Sequence, residues 1–173
     1  MFDDVRLGGF GSSKKVSPPN SLITYCGRGG YVAPEVLAGG YYDHNVDLWS
    51  CGVLLFLLIG GFFPFEDSNE DMSRMRTLQG NFDFCGKQWI QVSTDAKEAI
   101  ASLLVVEAGR RCSAAGMLES LWIQRQDEAH LSEVATNLQQ SYARRRSSSF
   151  SKDVIHRVIA KGSTSNGTNA TMH

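Results

Sequence analysis

From Leu48 to Phe65 the chain reads "LWSCGVLLFLLIGGFFPF" without one charged residue, between Asp47 on one side and Glu66-Asp67 on the other. The run approaches the ~18 to 20 residues that cross a bilayer. Gly60-Gly61 and Pro64 would stop a helix early, leaving about 15 helical residues, or about 22 Å at 1.5 Å per residue. A short helix that is apolar all round predicts the buried centre of a globular lobe rather than a membrane span. Before it, Val5 to Leu7 reads as a short strand that ends at glycines. Ser12 to Thr24, with Pro18-Pro19 and Asn20-Ser21, reads as a loop. Pro34 suits the first turn of a short helix through Glu35-Val36-Leu37, halted by Gly39-Gly40. Asp47 is placed to cap the first turn of the apolar helix.

Beyond Pro64, Asp67-Ser68-Asn69-Glu70 opens a helix predicted over Asn69 to Gln79, with Gly80 at its end. Ser93-Thr94-Asp95-Ala96 opens another, whose apolar positions Ala96, Ile100, Leu103 and Leu104 have helical spacing. Ser113 caps a helix expected to hold Met117, Leu118 and Leu121, with Trp122-Ile123 following. With no strand-rich region after residue 8, the expectation is a mainly α lobe over residues 1–126. The pattern then changes. Leu131, Val134, Ala135, Leu138 and Tyr142 form a narrow apolar stripe that breaks at Arg144-Arg145-Arg146-Ser147-Ser148-Ser149. Val154, Ile155, Val158 and Ile159 form a second amphipathic piece, so residues 127–161 read as an amphipathic segment apart from the lobe. Residues 162–173 have the composition of a disordered tail.

The 173 residues suffice for one domain with a real core, and 42% hydrophobic with 20% charged is ordinary for a globular chain. A formal charge of −1 offers no global attraction to nucleic acid or to anionic membrane, so neither is expected as a partner. Cys26, Cys51, Cys85 and Cys112 are scattered, without metal-ligand spacing. The N-terminus Met-Phe-Asp-Asp has neither a basic nor an apolar leader region, and reduced thiols in a cytoplasmic setting are expected. The sequons at Asn166 and Asn169 fall in the Ser/Thr/Asn-rich tail.

Four segments, "GFG", "CGRGGYVAPEVL", "VDLWSCGVLLFLLIGGFFPF" and "GRRCSAAGMLESLWI", stand in one order. Together, over about residues 4 to 123, they resemble the C-terminal half of a eukaryotic protein kinase domain, with the nearest likeness to the calcium/calmodulin-dependent Ser/Thr kinases. The resemblance implies a partial kinase C-lobe. It also places Gly9-Phe10-Gly11 at the Asp-Phe-Gly turn beside the nucleotide. There the family's carboxylate would hold a Mg²⁺ ion, since a hard dication takes anionic oxygen ligands. Gly9 supplies none, so a degenerate metal site is expected. No GxGxxG or GxxxxGK[ST] spacing supports a phosphate-cradling loop instead.

The resemblance further implies a buried ion pair between Glu35 and Arg111, with Arg110 as the alternative arginine. It gives Asp47 a role in anchoring the catalytic loop. It places the loop that meets the substrate residue after the acceptor at Gly27, Arg28, Gly29 and Tyr31. Arg28-Gly29 replaces the Thr-Pro usual in active members. Thr24 falls at the activation-loop phosphorylation position. A Gly-rich lid, a strand lysine with its helix glutamate and a His-Arg-Asp loop are not found. The chain is therefore expected either to be a non-catalytic, pseudokinase-like lobe that acts by binding, or to be part of an active Ser/Thr kinase. No cofactor is expected for the chain itself; ATP and Mg belong to a full-length active relative.

The segment 127–161 resembles the autoinhibitory and calmodulin-binding region of those kinases, with calmodulin expected as a partner through 140–161. Six Lys/Arg and one acid lie between Arg144 and Lys161, and Tyr142, Phe150, Ile155 and Ile159 are the anchor candidates for an acidic, Met-lined groove. "RRRSSSF" also reads as a substrate of a basophilic kinase, with Ser148 the better acceptor and Ser147 next. Protein partners are expected at the exposed C-lobe surface, and poor solubility is expected if the apolar helix is only partly covered.

Overall fold

The computed structural model describes residues 7–125. Among them are six α-helices: α1 Pro34–Leu37, α2 Asn45–Gly60, α3 Glu70–Gln79, α4 Thr94–Leu103, α5 Ala114–Leu118 and α6 Leu121–Gln124. Three 3₁₀ turns join them, at Phe10–Ser12, Lys87–Trp89 and Ala108–Arg110. The described residues hold no strand, only an isolated antiparallel bridge between Leu22 and Tyr42. The strand expected from Val5 lies almost wholly outside the described residues, as do the tail's amphipathic pieces.

The lobe is built around α2. Its 16 residues end where Gly61 takes a left-handed conformation at φ 79° and returns its N–H to the Leu57 carbonyl, a cap that costs glycine no Cβ clash. Trp49, Val53 and Phe56 are wholly shut off from solvent. Burying each such side chain is worth roughly 1.5 to 3 kcal/mol. Gly52 faces α4, and a Cβ there would stand 2.8 Å from Leu103 Cβ and 2.9 Å from Leu104 Cδ2. The two helices therefore meet at nearly backbone distance. On the other flank Trp89 packs on Phe56 with centroids 4.7 Å apart, and Phe62, Phe82 and Phe84 complete an aromatic cluster. The helix is not covered all round: Leu54 is 44% exposed and Cys51 faces solvent. No helix among the described residues is long and apolar enough to cross a membrane.

Three helix starts carry the caps their sequences encode. Asn69 Oδ1 accepts from the Asp71 and Met72 N–H groups, Ser93 Oγ from Ala96 and Ser113 Oγ from Gly116. Two expectations need correction. Asp47 does not cap α2, because the helix begins two residues earlier; Asp43 Oδ1 accepts the Asn45 N–H at 2.9 Å, and Asp47 sits inside the first turn. The helix capped by Ser113 does not reach Leu121. It stops at Leu118, and Ser120 starts α6 by accepting the Ile123 N–H, because a serine hydroxyl can cap a new turn where the chain changes direction.

Candidate functional site

Residues 11 to 32 cross the N-terminal end of α2 and leave a cleft of about 610 Å³ between them. Lys14, Thr24 and Arg28 line one wall; Asp43, His44 and Asp47 line the other. The loop wall is held by few but specific bonds. Leu22 and Tyr42 exchange both backbone bonds, at 3.1 and 2.9 Å. The Tyr42 hydroxyl, carried on a buried side chain, donates to the Thr24 carbonyl at 2.6 Å. Ser50, one turn into α2, donates to the Tyr31 carbonyl at 3.0 Å, and the Tyr31 ring meets Phe63 edge-on at 5.1 Å. Cys26 Sγ lies 3.4 Å from the Tyr42 hydroxyl. That contact, together with burial, pushes the phenol up to about 12.

Sequence reasoning singled out neither Tyr42, Ser50 nor Asp43. The available signals were Ser50 inside the Asp-x-Trp-Ser stretch and the aromatic pair Tyr41-Tyr42 just ahead of α2. A hydroxyl in either place is suited to hold a neighbouring loop.

Arg111 and Glu35 come together from opposite ends of the lobe. Arg111 Nη1 and Nη2 reach Glu35 Oε1 and Oε2 at 2.8 and 2.9 Å. The same guanidinium donates to the Asn45, Val105 and Val106 carbonyls, and its carbon lies 5.2 Å from the Trp49 ring centroid. The Arg111 side chain has no solvent exposure and that of Glu35 only 16%. All five N–H donors of the fork are used. Arg110, the alternative partner, instead makes an exposed pair with Glu107.

Gly9 has φ 78°, and nothing lies within 4 Å of a Cβ built on it; Phe10 beside it is 66% exposed. Gly11 lines the cleft, as do Gly27, Arg28 and Tyr31. The Arg28 side chain has no partner among the described residues. Thr24 is exposed, and its hydroxyl accepts from the Lys14 ammonium at 3.3 Å. Asp47 is exposed on the cleft wall and makes no side-chain hydrogen bond among the described residues. Ser147, Ser148, Tyr142, Phe150, Ile155 and Ile159 lie outside the described residues.

The donor set at this turn does not fit a magnesium ion. Gly9 offers no side-chain carboxylate, one Asp43 oxygen already accepts a backbone N–H, and no three His, Cys, Asp or Glu among the described residues converge as ligands.

Residues 1–123 match the protein kinase domain model. The chain is 38% identical over 125 residues to a probable myosin light chain kinase of Dictyostelium discoideum, covering 72% of this chain and 36% of that protein. It is 32% identical over 161 residues to the serine/threonine-protein kinase H1 homolog of Pinctada fucata, covering 92% of this chain and 36% of that protein. It is 37% identical over 115 residues to human serine/threonine-protein kinase H2, covering 66% of this chain and 30% of that protein. The chain thus spans about a third of the length of these relatives. The matched stretch contains the Glu35–Arg111 clasp, the loop held over α2 and the Gly-Phe-Gly turn in the expected order, and on that footing the chain belongs to the protein kinase family.

Proposed function

We propose that this chain is a kinase-family C-lobe that acts by binding rather than by phosphoryl transfer, and that its nearest affinity is with the calcium/calmodulin-dependent group. The observation that carries this is Gly9 at the metal-holding turn. Phosphoryl transfer in this family is mostly positioning and charge stabilisation around Mg·ATP, and a turn without a carboxylate gives up one of the ion's anionic ligands. Arg28-Gly29 supports the same reading: an arginine lacks the hydroxyl that Thr-Pro members use to orient the catalytic aspartate. The direct test adds Mg·ATP to the purified protein and follows its melting temperature, alongside labelled-phosphate transfer to a mixed peptide library. No magnesium-dependent stabilisation and no transfer are expected; turnover would overturn the proposal.

The second reading, part of an active Ser/Thr kinase, draws on the likeness to proteins named as such kinases. A Gly-rich loop and a His-Arg-Asp motif encoded in frame ahead of Met1 would favour it. Under either reading the basic stretch 140–161 suits calmodulin, and calcium-dependent capture of the full chain on immobilised calmodulin tests that. Retention that ignores calcium would remove this part.

A further inference from the structure

A pair of arginines standing three and two residues ahead of a serine occurs inside the lobe as well as in the tail. Arg110-Arg111-Cys112-Ser113 has the spacing of Arg145-Arg146-Ser147-Ser148, the stretch that reads as a substrate of a basophilic kinase. The tail copy lies outside the described residues. In the lobe copy the parts differ in what they leave accessible.

Ser113 is exposed, and its Oγ accepts the Gly116 N–H at 3.1 Å. The hydroxyl hydrogen and the second lone pair remain available. The Arg110 side chain is 76% exposed and makes a surface pair with Glu107 at 3.2 Å, a contact that costs little to give up. Arg111 is the opposite. Its side chain has no solvent exposure, and both terminal nitrogens are on Glu35. The Cys112 N–H donates to the Ser102 carbonyl at 2.9 Å, which ties the backbone between Arg111 and Ser113 to α4. A kinase that selects this spacing must draw both guanidiniums onto carboxylates of its own, because forked, charge-assisted pairing is how arginine is recognised. Arg111 has no donor to offer while it holds Glu35 and the Asn45, Val105 and Val106 carbonyls. The acceptor atom is open to solvent, yet the second arginine cannot be read.

We propose that Ser113 is a phosphorylation site for a separate, basophilic protein kinase, and that the Glu35–Arg111 clasp gates it. The modifying kinase brings Mg·ATP. Once the clasp opens, Ser113 Oγ attacks the γ-phosphorus. The new Oγ–P bond forms as the bond from that phosphorus to the ADP oxygen breaks, and the hydroxyl proton passes to a base of the modifying kinase. Segments of a folded chain open locally with free energies of their own. When labelling is slow compared with reclosing, its rate follows the population of the open form. The phosphate therefore marks chains whose clasp has opened. The proposal draws nothing from Gly9, from the absence of catalysis or from calmodulin binding.

The test incubates the full chain with Mg·ATP and, as probe, the catalytic subunit of cyclic-AMP-dependent protein kinase, and locates phosphate by mass spectrometry. A synthetic peptide of residues 107–118 presents the motif without the clasp. The peptide should be labelled at Ser113 faster than the full chain by about thirtyfold or more. E35Q keeps the size of the side chain and gives up its charge, so labelling of Ser113 in the chain should rise about tenfold, with circular dichroism unchanged. G52A strains α2 against α4 and leaves Glu35 in place, so its rate should stay within about twofold of the parent. Equal labelling of peptide and chain would overturn the proposal by showing that the clasp gates nothing. An unlabelled peptide would remove Ser113 as an acceptor. A rise in G52A as large as in E35Q would assign access to unfolding of the whole lobe, and would equally overturn gating by the clasp.

Discussion

Arg111 spends every donor it has inside the lobe, so the cost of removing its anion is predictable. In E35A the guanidinium stays buried with two donors unpaired, and a loss of about 3 to 5 kcal/mol is expected in urea unfolding followed by tryptophan fluorescence. E35L/R111L should lose less than the sum of the two single changes, because leaving one charge unpaired costs more than removing both. Cys51 offers a chemical readout. Although the residue reaches solvent, partial burial first, and then the negative charge of Asp47, raise its thiol above the usual range. Iodoacetamide should therefore modify it more slowly than free cysteine at pH 8, and D47N should speed the reaction. Tyr42 gives a pH test of the loop. Its pKa is raised in the folded state, from the usual 10 to about 12, so the bonds of the neutral phenol contribute fully below pH 10 and are lost as pH climbs through 12. The stability advantage of the native protein over Y42F should shrink across that window; an advantage constant from pH 9 to 12 would show that the hydroxyl is not held as described. The clasp was legible because glutamate in Ala-Pro-Glu and arginine in Gly-Arg-Arg are unusual enough to be matched by resemblance. Tyr42 was not legible, because nothing local distinguishes a tyrosine that reaches a carbonyl 18 residues away from one that faces water.

At the level of elements, α2 and its contact with α4 were readable from apolar runs, caps and stop signals, since those depend on neighbours in sequence. The error over Asp47 shows where such reading fails. Asp43 and Asp47 both lie at the helix start, yet neither is its N-cap: the helix begins after His44 without a side-chain cap, and Asp43 Oδ1 accepts the Asn45 N–H just after the Leu22–Tyr42 bridge. The split between α5 and α6 has the same character: Ser120 could continue a helix or cap a new one, and its Oγ accepts the Ile123 N–H. The close approach of α2 to α4 can be tested directly. G52A places a methyl 2.8 Å from Leu103 Cβ, and overpacking of this kind costs typically about 1 to 3 kcal/mol. L103A in the same background should recover part of the loss in thermal melts, and no recovery would mean the helices yield elsewhere.

For the molecule as a whole, apolar surface remains outward at places far apart in the chain, including Ile23, Tyr25 and Tyr41 by the cleft and Leu54 on α2. Light scattering should show association that grows with protein concentration, and L54K should lower it. A monodisperse monomer at every concentration would show these side chains to be scattered rather than joined in a patch. The order of segments was legible at this scale, and so was the family, because motif order survives where single residues change. The cleft was not, since it depends on how far the loop stands from α2. One property of the turn at its mouth reaches beyond binding. No neighbouring atom has grown into the room beside Gly9, and a left-handed backbone admits aspartate more readily than most residues. Among the described residues nothing stands where a side chain at Gly9 would go, so a carboxylate placed there by G9D would enter open space without displacing a neighbour.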